Sequence, residues 1–143
     1  MVTLAEHKRR IKEHLEEIND AIDIGIQNKP ITIGFHCSAC ACELLEFYLH
    51  KLGVISTGKI IKHNWFKRPQ QEQKIVPLIE RKLAVHFPNK EKIYNLIYAI
   101  EENRDNLVYG KVIKTQIEIV LTTFVKLKEL LLEKLSALGE KIE

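Results

Sequence analysis

The last third of the chain constrains the fold most. Ile113, Ile117, Val120, Phe124, Leu127, Leu131, Leu135 and Leu138 follow one another at steps of four, three, four, three, four, four and three. An α-helix turns about 100° per residue, so these steps keep one face apolar. Leu121, Val125 and Leu132 form a second apolar strip beside the first. A helix over 111–138 with two such strips packs inside its own bundle and has surface left for a partner chain. Symmetric dimers are the commonest soluble oligomers, so the expectation is a homodimer.

The same period recurs upstream. Over 3–27, Leu4, Ile11, Leu15, Ile18, Ile22 and Ile26 share a narrow stripe, with Lys8, Arg9, Glu13, Glu16 and Asp20 elsewhere. That is an amphipathic helix with one buried face, ended by Gly25, Asn28 and Pro30. Over 31–52, Phe35, Ala39, Cys42 and Leu49 lie on one side, and Cys37, Ala41, Leu44, Tyr48 and Leu52 on the other. A helix apolar on two sides belongs in the centre, and Gly53 is a natural stop. Over 89–109, Ile93, Leu96, Ile97, Ile100, Leu107 and Val108 form a stripe, with Asn89 as N-cap and Gly110 following.

Segment 54–88 is less regular. Ser56, Thr57 and Gly58 make a turn, and short helices are predicted at 59–66 and 70–85. The second carries Ile75, Leu78, Ile79 and Leu83, and Pro77 should start, kink or split it. The expected fold is all-α: an antiparallel up-and-down bundle of four long helices plus short extra helices, one domain over 1–143. A chain of 143 residues with 45% apolar and 29% charged residues can build such a core.

Composition narrows function only by exclusion. A net charge of +3 does not announce a nucleic-acid binder. No apolar run approaches the roughly 18 residues of a membrane span. Met1 to Lys8 lacks the apolar core of a signal peptide, so a cytoplasmic protein is expected. The phosphate-cradling GxxxxGK[ST] loop, GxGxxG, GxSxG and HExxH are all missing.

Arg104 stands out. It lies four residues after Ile100 and three before Leu107, inside the apolar stripe. An arginine there must be paired, reach water, or face an interface or an anion. One reading is a structural ion pair or a snorkelling side chain. The other is an anion site in which the planar guanidinium grips a phosphate.

Three further features carry weaker signals. His36, Glu43 and His50 are spaced by seven, with Glu46 beside them. This polar strip reads as the solvent face of the central helix, with Glu43 or Glu46 as a candidate partner for Arg104. Glu46 and His50 are one turn apart, which leaves a metal site open, but two or three candidate ligands on one helix are weak evidence, and neither metal nor cofactor is assigned. In His36-Cys37-Ser38-Ala39-Cys40-Ala41-Cys42, helical geometry turns Cys42 nearly opposite Cys37. Buried small residues that allow close packing are the better account of these thiols. From Phe47 to Gln71, Lys51, Lys59, Lys62, Lys67 and Arg68 occur without an acid, interleaved with His63, Trp65 and Phe66. This segment suits phosphate contact and base stacking, or is a solvated surface over buried aromatics.

Arg104-Asp105-Asn106-Leu107-Val108-Tyr109-Gly110 resembles the Arg-x4-6-His signature of HEPN domains. Ala39-Cys40-Ala41-Cys42-Glu43-Leu44-Leu45-Glu46 is similar to the small-residue, Glu-containing second helix of those families, and Lys62-His63 to their basic segment after a turn. The resemblance covers the helix order of most of the chain and about fifteen residues of motif.

The resemblance implies a dimeric bundle and a metal-independent ribonuclease of toxin–antitoxin type. Arg104, which would bind the scissile phosphate, and Tyr109 are the candidate catalytic residues, with Asn106, Lys111, Lys62 and His63 around the ligand and Glu43, Glu46 and His50 in support. RNA or a nucleotide would be the ligand, and an antitoxin-like nucleotidyltransferase a protein partner. One departure matters: Tyr109 stands where the family has histidine. A histidine titrates near neutrality and moves protons readily, whereas a phenol ordinarily titrates at about 10. A degenerate, non-catalytic member fits at least as well as an active nuclease. A protein-interaction module, with Arg104 ion-paired to Glu43 or Glu46, is the alternative.

Overall fold

The computed structural model describes residues 3–70, 72 and 74–142. Met1 and Val2 of the N-terminal stretch, Gln71 at the end of the basic segment, and Gln71 and Gln73 within the predicted helix 70–85 lie outside the described residues.

Four long helices carry the fold: α1 (Leu4–Ile24), α2 (Pro30–Leu52), α4 (Lys90–Val108) and α5 (Lys114–Ala137), with a short α3 (Leu78–Lys82). No strand occurs among the described residues. Local chemistry sets most boundaries. Thr3 Oγ1 accepts the Glu6 N–H at 3.2 Å and caps α1. Pro30 occupies the first turn of α2, where its missing N–H costs nothing. Gly53 ends α2 at φ 76°, a left-handed conformation that glycine adopts without strain.

The helices run up, down, up and down. Ser38 of α2 meets Glu101 of α4, and Lys134 of α5 meets Asn89 before α4, so each of these pairs is antiparallel. Helix α2 is central, packing on α1, α4 and α5. Its buried residues occupy almost its whole circumference, among them Ile33, Cys37, Leu44, Phe47 and Leu49. Phe35 departs from the predicted apolar side and is exposed. At Gly34 the neighbouring helix comes so close that a Cβ would sit 3.0 Å from the Leu107 Cβ, which sets the approach of α2 to α4.

The α5 stripe from Ile117 to Leu135 is buried, while Ile113 and Leu138 fall just outside the helix and are exposed. The second strip, Leu121, Val125 and Leu132, is half-buried. Asn89 precedes α4 as predicted but caps it with no side-chain bond; its Oδ1 instead accepts from Lys134 at 2.7 Å.

Segment 54–88 differs from expectation. The predicted helix 59–66 is a single 3-10 turn, His63–Trp65, and only Leu78–Lys82 of 70–85 is α-helical. Pro77 starts that helix. Isolated apolar anchors hold the segment instead of a periodic face. Ile61, Phe66, Ile79 and Leu83 are buried, while Ile75 and Val76 are exposed. Phe66 packs edge-on against Tyr94 and Tyr98. No helix among the described residues is long and apolar enough to cross a membrane.

Candidate functional site

The polar strip of α2 is not a solvent face. It meets α1 across an antiparallel seam. His7 and His14 of α1, themselves seven apart, face His50, Glu43 and His36 of α2 in reverse order. His7 is fully buried, its ring stacked on Phe47. Its Nδ1–H donates to Glu43 Oε1 at 2.7 Å, and its Nε2 lies 2.8 Å from His50 Nδ1. Glu46 turns one oxygen toward His7 Nε2 at 3.9 Å, and its other oxygen accepts the Ile61 N–H at 3.0 Å. At the far end of the seam the Nδ1 atoms of His14 and His36 lie 2.9 Å apart.

This environment moves the titrations in the expected directions. Burial pushes the Glu46 carboxyl up, against the pull of the Ile61 N–H. Burial, then the His7 ring, pulls His50 down. Burial, then His36, does the same to His14. All three cysteines are buried and unbridged, and burial raises each thiol, Cys40 to about 12. Such thiols are packing groups rather than nucleophiles.

Arg104 lies on the opposite side of α2. It is only 7% exposed, with its backbone carbonyl beside Gly34. Glu43 stands nine residues farther along α2, roughly 13 Å of helical rise. The predicted pair with Glu43 or Glu46 therefore does not form; those carboxylates are taken by His7, Arg10 and the Ile61 N–H. Arg104 Nη1 instead donates to its neighbour Asp105 at 3.1 Å, and the Asp105 side chain is 81% exposed. The buried Nε of Arg104 has no hydrogen-bond partner among the described residues.

The other motif residues lie about the α4–α5 turn. Tyr109 is 79% exposed and its backbone N–H caps α4 on Asp105. Asn106 Nδ2 donates to Gln116 Oε1 at 3.2 Å, and Lys111 is exposed. Around them the same end of the bundle shows large apolar side chains to solvent: Ile31 and Phe35 at the start of α2, and Val112 and Ile113 before α5.

The basic segment crosses between these two regions. His63 Nδ1 lies 3.0 Å from Glu101 Oε2, while Ser38 Oγ donates to the other oxygen of Glu101. Arg68 pairs with Glu102 and stacks over Tyr98. A cavity of about 690 Å³ opens here, with His63, Lys67 and Arg68 on one wall and Glu101, Glu102 and Asp105 on the other. Lys62 faces a second cavity of about 300 Å³, shared with Arg10, Glu43 and Glu46. Phe66 is buried beneath the segment, whereas Trp65 is half-buried under Lys59.

The candidate residues thus fall into separate groups. Glu43, Glu46 and His50 belong to the seam. Asn106, Tyr109 and Lys111 surround the α4–α5 turn near Arg104, and Lys62 and His63 sit between. Sequence reasoning missed His7, His14, Ser38 and Glu101. His7 had a readable signal, because it falls three after Leu4 and four before Ile11, on the α1 stripe itself. No protein-family model, curated protein or solved structure matches this chain.

Proposed function

We propose that the chain is a HEPN-like homodimer that binds RNA or a nucleotide through Arg104. The observation that carries this reading is the state of that guanidinium. Among the described residues it is buried, its Nε is unpartnered, and its one counter-charge is a solvent-facing neighbour. A buried cation without a closed ion pair is a poor structural element and a ready ligand for an anion whose oxygen can take the free Nε–H.

Two surroundings support the assignment. The cavity lined by Asp105, the neighbour of Arg104, also carries Lys67, with His63 and Arg68 on the same wall paired to Glu101 and Glu102. Ile31, Phe35, Tyr109, Val112 and Ile113 give the adjacent end of the bundle an apolar surface suited to a second copy. The proposal places binding first. Ribonuclease activity of toxin–antitoxin type needs a proton acceptor that Tyr109 supplies poorly, and His63 is the imidazole on that cavity.

The test is RNA binding and cleavage by the wild type and Arg104→Ala, with chelator present. Binding lost in the variant is the expected result, and cleavage lost with it would extend the reading to a nuclease. Wild-type binding by Arg104→Ala would remove the basis of the proposal. The exposed apolar end also favours a second reading, a non-catalytic module docked on a partner such as an antitoxin-like nucleotidyltransferase. That reading gains if neither RNA nor nucleotide binds.

A further inference from the structure

The α1–α2 seam contains a donor set that the proposed RNA site does not use. One ligand atom each from His7, Glu46 and His50 lies within 4.8 Å of the other two. Two of these residues come from α2, and His7 of α1 supplies the third. From these atoms and their outer partners we infer that the seam is a binding site for a divalent transition-metal ion of the zinc class, held by His7 Nε2, His50 Nδ1 and a Glu46 oxygen.

The proton arrangement carries the argument. A carboxylate only accepts, so Glu43 Oε1 holds a proton on His7 Nδ1, and in the neutral ring that leaves a lone pair on Nε2. That lone pair faces His50 Nδ1 at 2.8 Å. His50 then has two choices. It donates from Nδ1, which strips its buried Nε2 of a proton and leaves that atom unpartnered. Otherwise it keeps the proton on Nε2, and two lone pairs confront each other. With both rings neutral, neither tautomer satisfies all three nitrogens. A cation between the inner nitrogens relieves the seam, because it uses both lone pairs and leaves the proton of His50 on Nε2.

The surroundings match what a metal site requires. A ligating histidine usually donates its other N–H to a carboxylate, as His7 does to Glu43. Glu46 is oriented by the Ile61 N–H on its outer oxygen, leaving the inner one toward His7. Zinc bonds of about 2.0–2.1 Å place tetrahedral donors roughly 3.3 Å apart. The two separations from His7 Nε2, 2.8 Å and 3.9 Å, bracket that value, and the whole set lies within 4.8 Å, so closing it on an ion takes side-chain shifts of up to about 1.5 Å. Two histidines and one carboxylate leave a fourth position open, and the cavity beside Glu43 and Glu46 gives water a way in.

The experiment titrates metal-free full-length protein with Zn2+, and with Co2+ as an optical probe. The wild type should bind about one ion per chain. Tetrahedral Co2+ should show visible ligand-field bands without a thiolate charge-transfer band. His50→Gln, at a half-buried position, should weaken binding more than Glu43→Gln, which removes only the outer carboxylate and should cost roughly 10–100-fold. His36→Gln, in the other histidine pair of the seam, should bind as wild type does. No uptake by the wild type overturns the inference. So does equal affinity in His50→Gln and His36→Gln, or a thiolate band assigning the ion to the cysteines. The RNA-binding test uses chelator, so either proposal can fail without the other.

Discussion

The α1–α2 seam and the Arg104 end both bury ionisable groups, yet they solve that problem differently. In the seam, His7, Glu43, Glu46 and the Ile61 N–H contact one another across two helices and a loop. Among the described residues the Arg104 side chain makes one hydrogen bond, to a neighbour one residue away whose carboxylate is mostly in water. A polar network spread over several elements holds those elements in register. A contact between adjacent residues on one helix holds nothing together. The seam is therefore expected to carry stability, and Arg104 to carry binding.

The largest effect should come from His7→Ala. The substitution opens a hole beside Phe47 and strips Glu43 of its donor. Loss of a buried ring and of a buried polar partner together should lower stability by about 3 kcal/mol or more, read from denaturant unfolding. A loss below about 1 kcal/mol would mean that the seam is permissive and would erase the contrast with Arg104.

A smaller effect should appear on acidification, at the other end of the seam. His14 is held below its ordinary value by burial first and then by His36, with Arg10 acting the same way and Glu43 and Glu13 opposing. The folded state therefore binds fewer protons than the unfolded chain just below pH 6.5, the ordinary value for histidine. The sign follows: this contribution is intact above about 6.5, and stability falls as the pH drops through the folded value. Melting temperature measured between pH 7 and 5 should fall more steeply in the wild type than in His14→Gln. Equal slopes would show that His14 is not part of the closed seam.

How much of this was legible in the sequence follows from how each part is specified. The long helices were legible because Ile117, Val120, Phe124, Leu127 and Leu131 write their face directly into the spacing. Helix α2 announced its central place by being apolar on two sides. Segment 59–85 was overread as helix, because Ile61, Phe66, Ile79 and Leu83 are anchors docked one at a time and have no period of their own. The polar strip on α2 was visible, but its environment was not. A line of His36, Glu43 and His50 looks the same facing water as facing His14 and His7, and only the pairing of α1 with α2 decides. Arg104 was found because it interrupts a stripe; its missing partner could not be found that way, since ion pairing depends on the roughly 13 Å that separate it from Glu43 along the central helix.

The smallest change in stability should accompany the change most damaging to the proposed function. Arg104→Met keeps a long stem in the same buried space and removes the charge with its unpartnered Nε. Replacing a buried, incompletely paired ion by an apolar group of similar volume is often neutral or stabilising. Unfolding of Arg104→Met should thus stay within about 1 kcal/mol of the wild type or move above it, while RNA or nucleotide binding is lost. A destabilisation of about 3 kcal/mol would instead make Arg104 a structural cation, and the comparison between the two regions would collapse. Arg104→Lys separates charge from geometry. A lysine retains the positive charge but not the planar fork, so weakened binding at unchanged stability would assign the site to bidentate phosphate contact rather than to charge alone.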